Sequence, residues 1–335
     1  MKRSLVLLLL LAVACGGGAS PKPIEVPVAN DKDGGTPTVA AEPVATNDDA
    51  SLPRGANGPT DAVGLVGEAG AILPPNPETL LLVNSAEIRK HPNADAIRRV
   101  VMASLVGWNM FMPHDIVDPI REVDWALVSG SIYLGHMAQT TLLAHYNLDD
   151  ARTDAAIVLL HKRLQNATRV GPRTFTATVD DARHFYAVPR TGTLLIAPMD
   201  KGAAMATRFE KVSLPASVRP GELVRLSGDP HRSPAARYFP REVKTFRAWI
   251  LPEGDAIALH FEGECEDEGA AELALVQARR RLAEFGSSAI VRMVARKLVA
   301  PPLVRRVGKT IRYDATVDGA LLLAAGDFVG GDNAR

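Results

Sequence analysis

Cysteine is almost absent: the 335 residues contain two, Cys15 and Cys265. That excludes a disulfide-dense scaffold. Net charge is missing as well, with 38 basic against 38 acidic side chains, which argues against a protein that coats nucleic acid. What is present is apolar enough to fold. Hydrophobic residues make up 47% and charged residues 23%, a balance unlike that of a globally disordered chain. About two domains are expected at this length.

Local catalytic signatures are also lacking. Gly308-Lys309-Thr310 has Leu303 where a phosphate loop needs a glycine, and it leads into a predicted strand rather than a helix. Ser129-Gly130-Ser131 lacks the flanking glycines of a nucleophile elbow. The eight histidines (His91, His114, His136, His145, His161, His184, His231 and His260) are dispersed, with no pair at helical ligand spacing. No cofactor or metal is implied, and a non-enzymatic protein is the expectation. A hydrolase assembled from Asp180, Asp318, His145 or His260 would require those side chains to converge in one cleft.

The N-terminus carries the strongest positive signal. Lys2 and Arg3 precede an apolar run from Leu5 to Val13, too short for a membrane span of about 20 residues but of the length of a secretory h-region. The run ends in Leu11-Ala12-Val13-Ala14-Cys15, followed by three glycines. This resembles the lipobox of bacterial lipoproteins, over residues 1 to about 20 only, with Ala12 where the family prefers leucine. The resemblance implies that residues 1–14 are a signal peptide and that Cys15 becomes the lipidated first residue of the mature chain. Two or three acyl chains suffice for stable anchoring. Gly16 stands where an Asp would favour inner-membrane retention, so in a Gram-negative cell the resemblance implies the outer membrane, facing the periplasm. The plainer alternative is an ordinary signal peptide cut after Ala14, with Cys15 incidental. With Cys15 acylated, Cys265 has no disulfide partner. It lies among Glu262, Glu264, Glu266, Asp267 and Glu268, whose charges suppress thiolate formation.

Residues 15–68 read as an acidic tether. From residue 16 onward they hold eight acidic and three basic residues and no apolar periodicity, so they are expected to be disordered. A flexible chain of that length averages roughly 40 Å between its ends.

The body reads as one module used twice, over 69–213 and 214–330. Arg121-Glu122-Val123 recurs as Arg241-Glu242-Val243, and Leu143-Ala144-His145-Tyr146 resembles Ala258-Leu259-His260-Phe261. Ala177-Thr178-Val179-Asp180 recurs as Ala315-Thr316-Val317-Asp318, and Pro77-Glu78-Thr79-Leu80 resembles Pro220-Gly221-Glu222-Leu223. The matches keep their order, as a duplication with insertions would. Buried apolar runs such as 80–83 and alternating segments such as 123–128 and 174–179 predict strands there and over 141–146, 183–188, 194–197, 223–226, 246–251, 256–262, 310–317 and 320–325. Helices are predicted over 94–105, from Asp149-Asp150 through Leu164, over 270–285 and over 287–299. The fold class is α+β: two tandem related modules, each an antiparallel sheet covered by helices. Trp125 and Trp249 read as core fillers.

Two charged runs complete the reading. Glu262 to Glu268 either surrounds a hard cation or feeds a helix N-terminus; it lacks the spacing of a calcium loop, which favours the latter. Between Arg279 and Arg312 stand ten basic residues and one acid, Glu284. Of these, Arg279, Arg280, Arg281, Arg292, Arg296, Lys297, Arg305 and Arg306 are candidates for contact with an anionic lipid or glycan surface. The expected role is a lipid-anchored cell-envelope protein of interaction type; a periplasmic carrier of an apolar or lipidic ligand is the alternative. Partners are the membrane, through the N-terminal lipid, and an envelope protein or anionic glycan or lipid, with no nucleic acid.

Overall fold

The computed structural model describes residues 61–324, apart from 105, 132–135, 233–235, 237–238 and 287–297. The signal peptide, Cys15 and the tether up to residue 60 lie outside the described residues, as does most of the helix expected over 287–299.

The apolar and alternating segments become strands β1 (Thr79–Val83), β2 (Val123–Ser129), β3 (Thr141–Tyr146), β4 (Gln165–Gly171), β5 (Thr174–Val179), β6 (Ala182–Ala187), β7 (Thr193–Pro198), β8 (Val224–Gly228), β9 (Val243–Glu253), β10 (Ala256–Cys265), β11 (Leu298–Val307) and β12 (Thr310–Val317). They form one sheet in the order β11-β12-β10-β9-β8-β1-β2-β3-β7-β6-β5-β4, antiparallel throughout. The expectation of antiparallel sheet under helices holds, but there is one continuous sheet where two were expected. Its seam is the β1–β8 ladder, in which Leu81 faces Leu226 and Leu82 faces Arg225. All five residues of β1 are buried, which explains its unbroken Thr-Leu-Leu-Leu-Val: a central strand covered on both faces needs no polar alternation.

The helices are α1 (Ala62–Val66), α2 (Ser85–Lys90), α3 (Ala94–Ser104), α4 (Val106–Phe111), α5 (Asp150–Arg163), α6 (Met199–Phe209) and α7 (Glu268–Gly286). The Asp149 side chain accepts from the Arg152 N–H and starts α5; Asp267 does the same for α7 through the Ala270 N–H at 2.7 Å. One face of the sheet carries a core that runs its whole width, from Phe175 and Tyr186 through Leu81 and Val128 to Phe261 and Tyr313. It is roofed by apolar residues of α2 to α5 and by Ala271, Ala274 and Leu275 of α7. The opposite face has a second core under α1, the 3-10 turn Gly67–Ile72 and α6, built on Leu80, Leu82, Trp125, Leu127, Leu143, Phe185 and Leu195. No member of this second core lies beyond Val218.

Three expectations are corrected. Residues 61–68 were assigned to the tether, yet Asp61 caps α1 and Leu65 and Val66 are buried in the second core. The strand expected over 320–325 is helical over 319–324, because the Asp318 side chain accepts from the Leu321 N–H at 2.6 Å and caps it. Leu298 and Val299, expected to end a helix, begin β11 instead.

Candidate functional site

On the second-core face, the sheet splits into a covered part and a bare part. Over β1, β2, β3, β7 and β6 the face is roofed; over β8, β9, β10, β12 and β11 no helix among the described residues packs on it. Strand alternation puts every second residue of those five strands onto this bare part. Arg225, Trp249, His260 and Asp314 form one row across β8, β9, β10 and β12, each directly opposite the next between β8 and β9, β9 and β10, and β10 and β12. Arg247, Glu262, Arg312 and Arg305 form the next row, across β9, β10, β12 and β11.

Both rows are internally bonded. The Arg225 guanidinium lies 5.5 Å from the Trp249 ring centre, and Trp249 stacks on His260 at 5.4 Å and 22°. His260 Nδ1 is 2.7 Å from Asp314 Oδ1. Glu222, nearly buried, grips Arg225 at 2.6 Å and Arg219 at 3.0 Å and so fixes the end of the row. In the second row Glu262 takes Arg247 at 2.6 Å on one oxygen and Arg312 at 3.0 Å on the other. Arg312 Nε makes no hydrogen bond despite that distance. Arg305 reaches Asp314 at 3.6 Å.

The covered part holds a matching pair. Trp125 lies opposite His145 across β2 and β3 and stacks on it at 6.5 Å and 17°. The His145 Nδ1 is 2.9 Å from Asp124 Oδ2, whose other oxygen takes Arg89 at 2.6 Å. Trp125 is fully buried, and its Nε1–H donates to the Pro215 carbonyl at 2.8 Å. The expectation of a core filler therefore suits Trp125; Trp249 is half-exposed.

The chain is similar to solved structures of one protein, TP0453. Its crystal form I shares 12% identity at a TM-score of 0.42, covering 77% of this chain and 96% of that one. Crystal forms III and IV share 10% identity at TM-scores of 0.44, covering 77% of this chain and 96% and 94% of theirs. No family model and no curated protein matches the chain.

The remaining candidates are dispersed. His145 and His260 belong to separate rows, Asp180 Oδ2 accepts from the Met137 N–H at 3.2 Å, and Asp318 caps a helix; the four side chains do not converge. In the acidic run, Glu264 pairs with Lys309 at 2.7 Å, Glu266 with Lys244 at 3.7 Å, and Glu268 with Arg306 at 3.1 Å, while Asp267 caps α7. Among the described residues no group of three or more His, Cys, Asp or Glu is placed to hold a metal ion. Of the basic run, Arg279 donates to the Val304 carbonyl at 3.4 Å, Arg280 is exposed and Arg281 half-buried. Arg305 and Arg306 point to opposite faces, the latter held by Glu268 and Glu272 of α7. Arg292, Arg296 and Lys297 lie outside the described residues.

Cys265 is buried at the end of β10. Burial first, then the carboxylates of Glu242, Asp267 and Glu264, push its thiol up to about 11, so it is un-ionised at neutral pH. His184 is the most enclosed histidine, with Nε2 3.3 Å from the Met137 carbonyl oxygen; desolvation holds its pKa below the usual imidazole value and keeps it neutral.

The rows of the bare part were missed in the sequence. Their signal was nonetheless there, in Arg247-x-Trp249, His260-x-Glu262-x-Glu264 and Arg312-x-Asp314-x-Thr316, which alternate polar residues over three strands. Assembling them required the register of ladders that join residues as far apart as Glu262 and Arg312.

Proposed function

We propose that this chain is a lipid-anchored cell-envelope protein that works by interaction rather than catalysis: exported by residues 1–14, acylated at Cys15, and binding another envelope component with its folded body. The observation that carries the interaction role is the bare β8–β12 part of the sheet face. Half-exposed aromatic and charged side chains stand there in fixed rows, while the same face beside them is closed by helices. A surface so ordered needs no rearrangement to bind, and preorganisation lowers the cost of association. The lipobox resemblance supplies the anchor.

A duplication underlies the body, with related units over 69–213 and 214–330 sharing one sheet. The recurrent segments support it by where they fall. Val123 and Val243 open β2 and β9, the His145 and His260 segments lie in β3 and β10, and the two Ala-Thr-Val-Asp segments end β5 and β12. The β6–β7 hairpin is then the insertion that separates β3 from β5 in the first unit.

The carrier alternative draws less support. Among the described residues, one apolar hollow lined by Leu81, Val83, Trp108, Phe111, Val128, Met137 and Leu142 holds about 20 Å³, against the roughly 300 Å³ a ligand site needs. The anchor is tested by Cys15→Ser, which abolishes acyl labelling and releases the protein from membranes; undiminished retention overturns it. Crosslinking from the bare sheet face in native envelopes tests the interaction role, and a face that stays unlinked while other surfaces crosslink removes the observation on which the role rests.

A further inference from the structure

We infer that His184 is an acid-operated latch: proton uptake by its ring releases the Met137–Gln139 turn from the β5–β6 hairpin. This latch lies apart from the lipid anchor and from the bare sheet face, and it stands or falls without them.

The hairpin grips one residue of that turn at two points. Asp180 Oδ2 accepts the Met137 N–H at 3.2 Å, and His184 Nε2 lies 3.3 Å from the Met137 carbonyl oxygen. The same carbonyl takes the Thr140 N–H at 2.9 Å and so closes the turn. Val179 pairs directly with Ala182, so Asp180 and Asp181 form a two-residue connection, with φ of 51° and 61°. A hairpin turn this tight fixes where the Asp180 carboxylate stands.

The second grip is frustrated. Both ring nitrogens face backbone carbonyls, Nδ1 at 3.2 Å from Ala182 and Nε2 at 3.3 Å from Met137. A neutral imidazole has one N–H, so its other nitrogen turns a lone pair toward an oxygen. An imidazolium would donate to both, yet the ring is fully buried and a charge there lacks water. Neither protonation state is fully served in the closed geometry. Once the turn lifts, the ring gains its proton in contact with solvent.

The surroundings add little to offset that charge. Ala177 of β5 and Pro198 of β7 stand opposite His184, and Phe111 of α4 meets the ring edge to face at 5.0 Å. Tyr186, two residues along β6, donates its O–H to the Phe111 carbonyl. Arg183 and Asp181 are exposed, and Arg183 donates to Thr176. Lys201 of α6 reaches the turn from the other side of the sheet, at Gln139 Oε1. Among the described residues, Asp180 is the side chain whose charge acts on the ring. Burial outweighs it and both carbonyls, and holds the His184 pKa below the ordinary 6.5. The latch therefore holds fully above 6.5 and weakens as pH falls below it, until the enclosed ring is itself protonated.

The test is hydrogen exchange read by mass spectrometry on the full chain carrying Cys15→Ser, each rate divided by the intrinsic rate at that pH. Between about pH 7.5 and about pH 5, protection of a peptide covering Met137–Thr140 should fall, by up to about ten-fold per pH unit, the limit for one linked proton. Strands β1 and β8 should stay protected. His184→Gln keeps an N–H donor, takes up no proton and should abolish the loss. Asp180→Asn keeps an acceptor for the Met137 N–H, removes the charge that offsets the imidazolium and should deepen it. His136→Gln, at the exposed residue beside the turn, should leave it unchanged. Protection that is indifferent to pH overturns the inference, as does an acid loss that survives in His184→Gln or vanishes in His136→Gln. If His184→Gln does not fold, an NMR titration of the histidine rings in the Cys15→Ser chain decides. A His184 ring that stays neutral until the turn loses protection upholds the latch; one that takes its proton while the turn remains protected overturns it.

Discussion

Trp125 and Trp249 occupy corresponding places in two parts of one sheet face, each stacked on a histidine of the next strand, yet one is sealed and the other open. Around Trp125, helix α6 and the segment through Pro215 close the face, and the indole N–H is satisfied by a backbone carbonyl. Around Trp249 the neighbours are themselves charged: Arg225 on one side, His260 and Asp314 on the other. The same local pair is thus a packing device where a helix covers it and a surface device where, among the described residues, none does. What distinguishes the two is the next layer of structure, since the strand pairing is alike.

The sharpest break of that parallel is truncation of each tryptophan. Trp125→Ala removes a fully buried ring and orphans the Pro215 carbonyl, and an equilibrium denaturation midpoint should report a loss of about 3–5 kcal/mol. Trp249→Ala should cost no more than about 1.5 kcal/mol, the worth of a half-exposed ring and one cation–π contact. Equal losses would mean that the second ring is as enclosed as the first. Gly202→Ala probes the cover itself. A Cβ there would sit 2.2 Å from Phe185 Cβ, so α6 must lift from β6, and destabilisation of about 1–3 kcal/mol is expected.

The parallel was partly legible without coordinates. The limits of the strands over 141–146 and 310–317 match the sequence reading, and the second alternates cleanly; Asp149 announces α5 because a short side chain before an apolar stripe caps a helix. Strand β4 was not legible, since an exposed edge strand of Gln, Asn, Thr and Arg has no apolar alternation to betray it. Neither was β11, whose Pro301 and Pro302 interrupt the ladder with β12 and are tolerated because it is an edge. Helix α6 hides in small residues, its Gly202 chosen for closeness to Phe185. The arginine rows escaped for another reason: Arg247 and Arg312 are 65 positions apart in the chain and meet only through β10. Sequence reading instead grouped Arg305 with Arg306, neighbours that the strand pleat sends to opposite faces.

A smaller effect concerns the other side of the same strands. Cys265 lies on the closed core face beneath α7, and its thiol is held near 11. At pH 8 the thiolate is about a thousandth of the population, so alkylation of the folded protein should be slow and should accelerate sharply on unfolding. Because the folded value is raised, the thiol's contribution to stability is fully present below the unfolded value near 9 and is lost as pH climbs through about 11. Cys265→Ala should flatten that alkaline decline. Rapid labelling at pH 8 would show that β10 is open on both faces.

The smallest effect discriminates best between a surface kept for stability and one kept for binding. Arg305 and Arg306 are adjacent, but Arg306 holds two carboxylates of α7 at 3.1 and 3.2 Å, whereas Arg305 faces Arg312 and touches Asp314 only at 3.6 Å. Arg306→Gln should therefore lose about 0.5–1 kcal/mol, and less in high salt. Arg305→Gln should be neutral or stabilising by a few tenths of a kcal/mol, roughly the size of a relieved cross-strand repulsion. A neutral Arg305→Gln would accord with the interaction role proposed above, because the fold would then not depend on the side chain. If Arg305→Gln costs as much as Arg306→Gln in thermal unfolding, the arginine is there to hold the sheet together, and the bare face has no charge to spare for a partner.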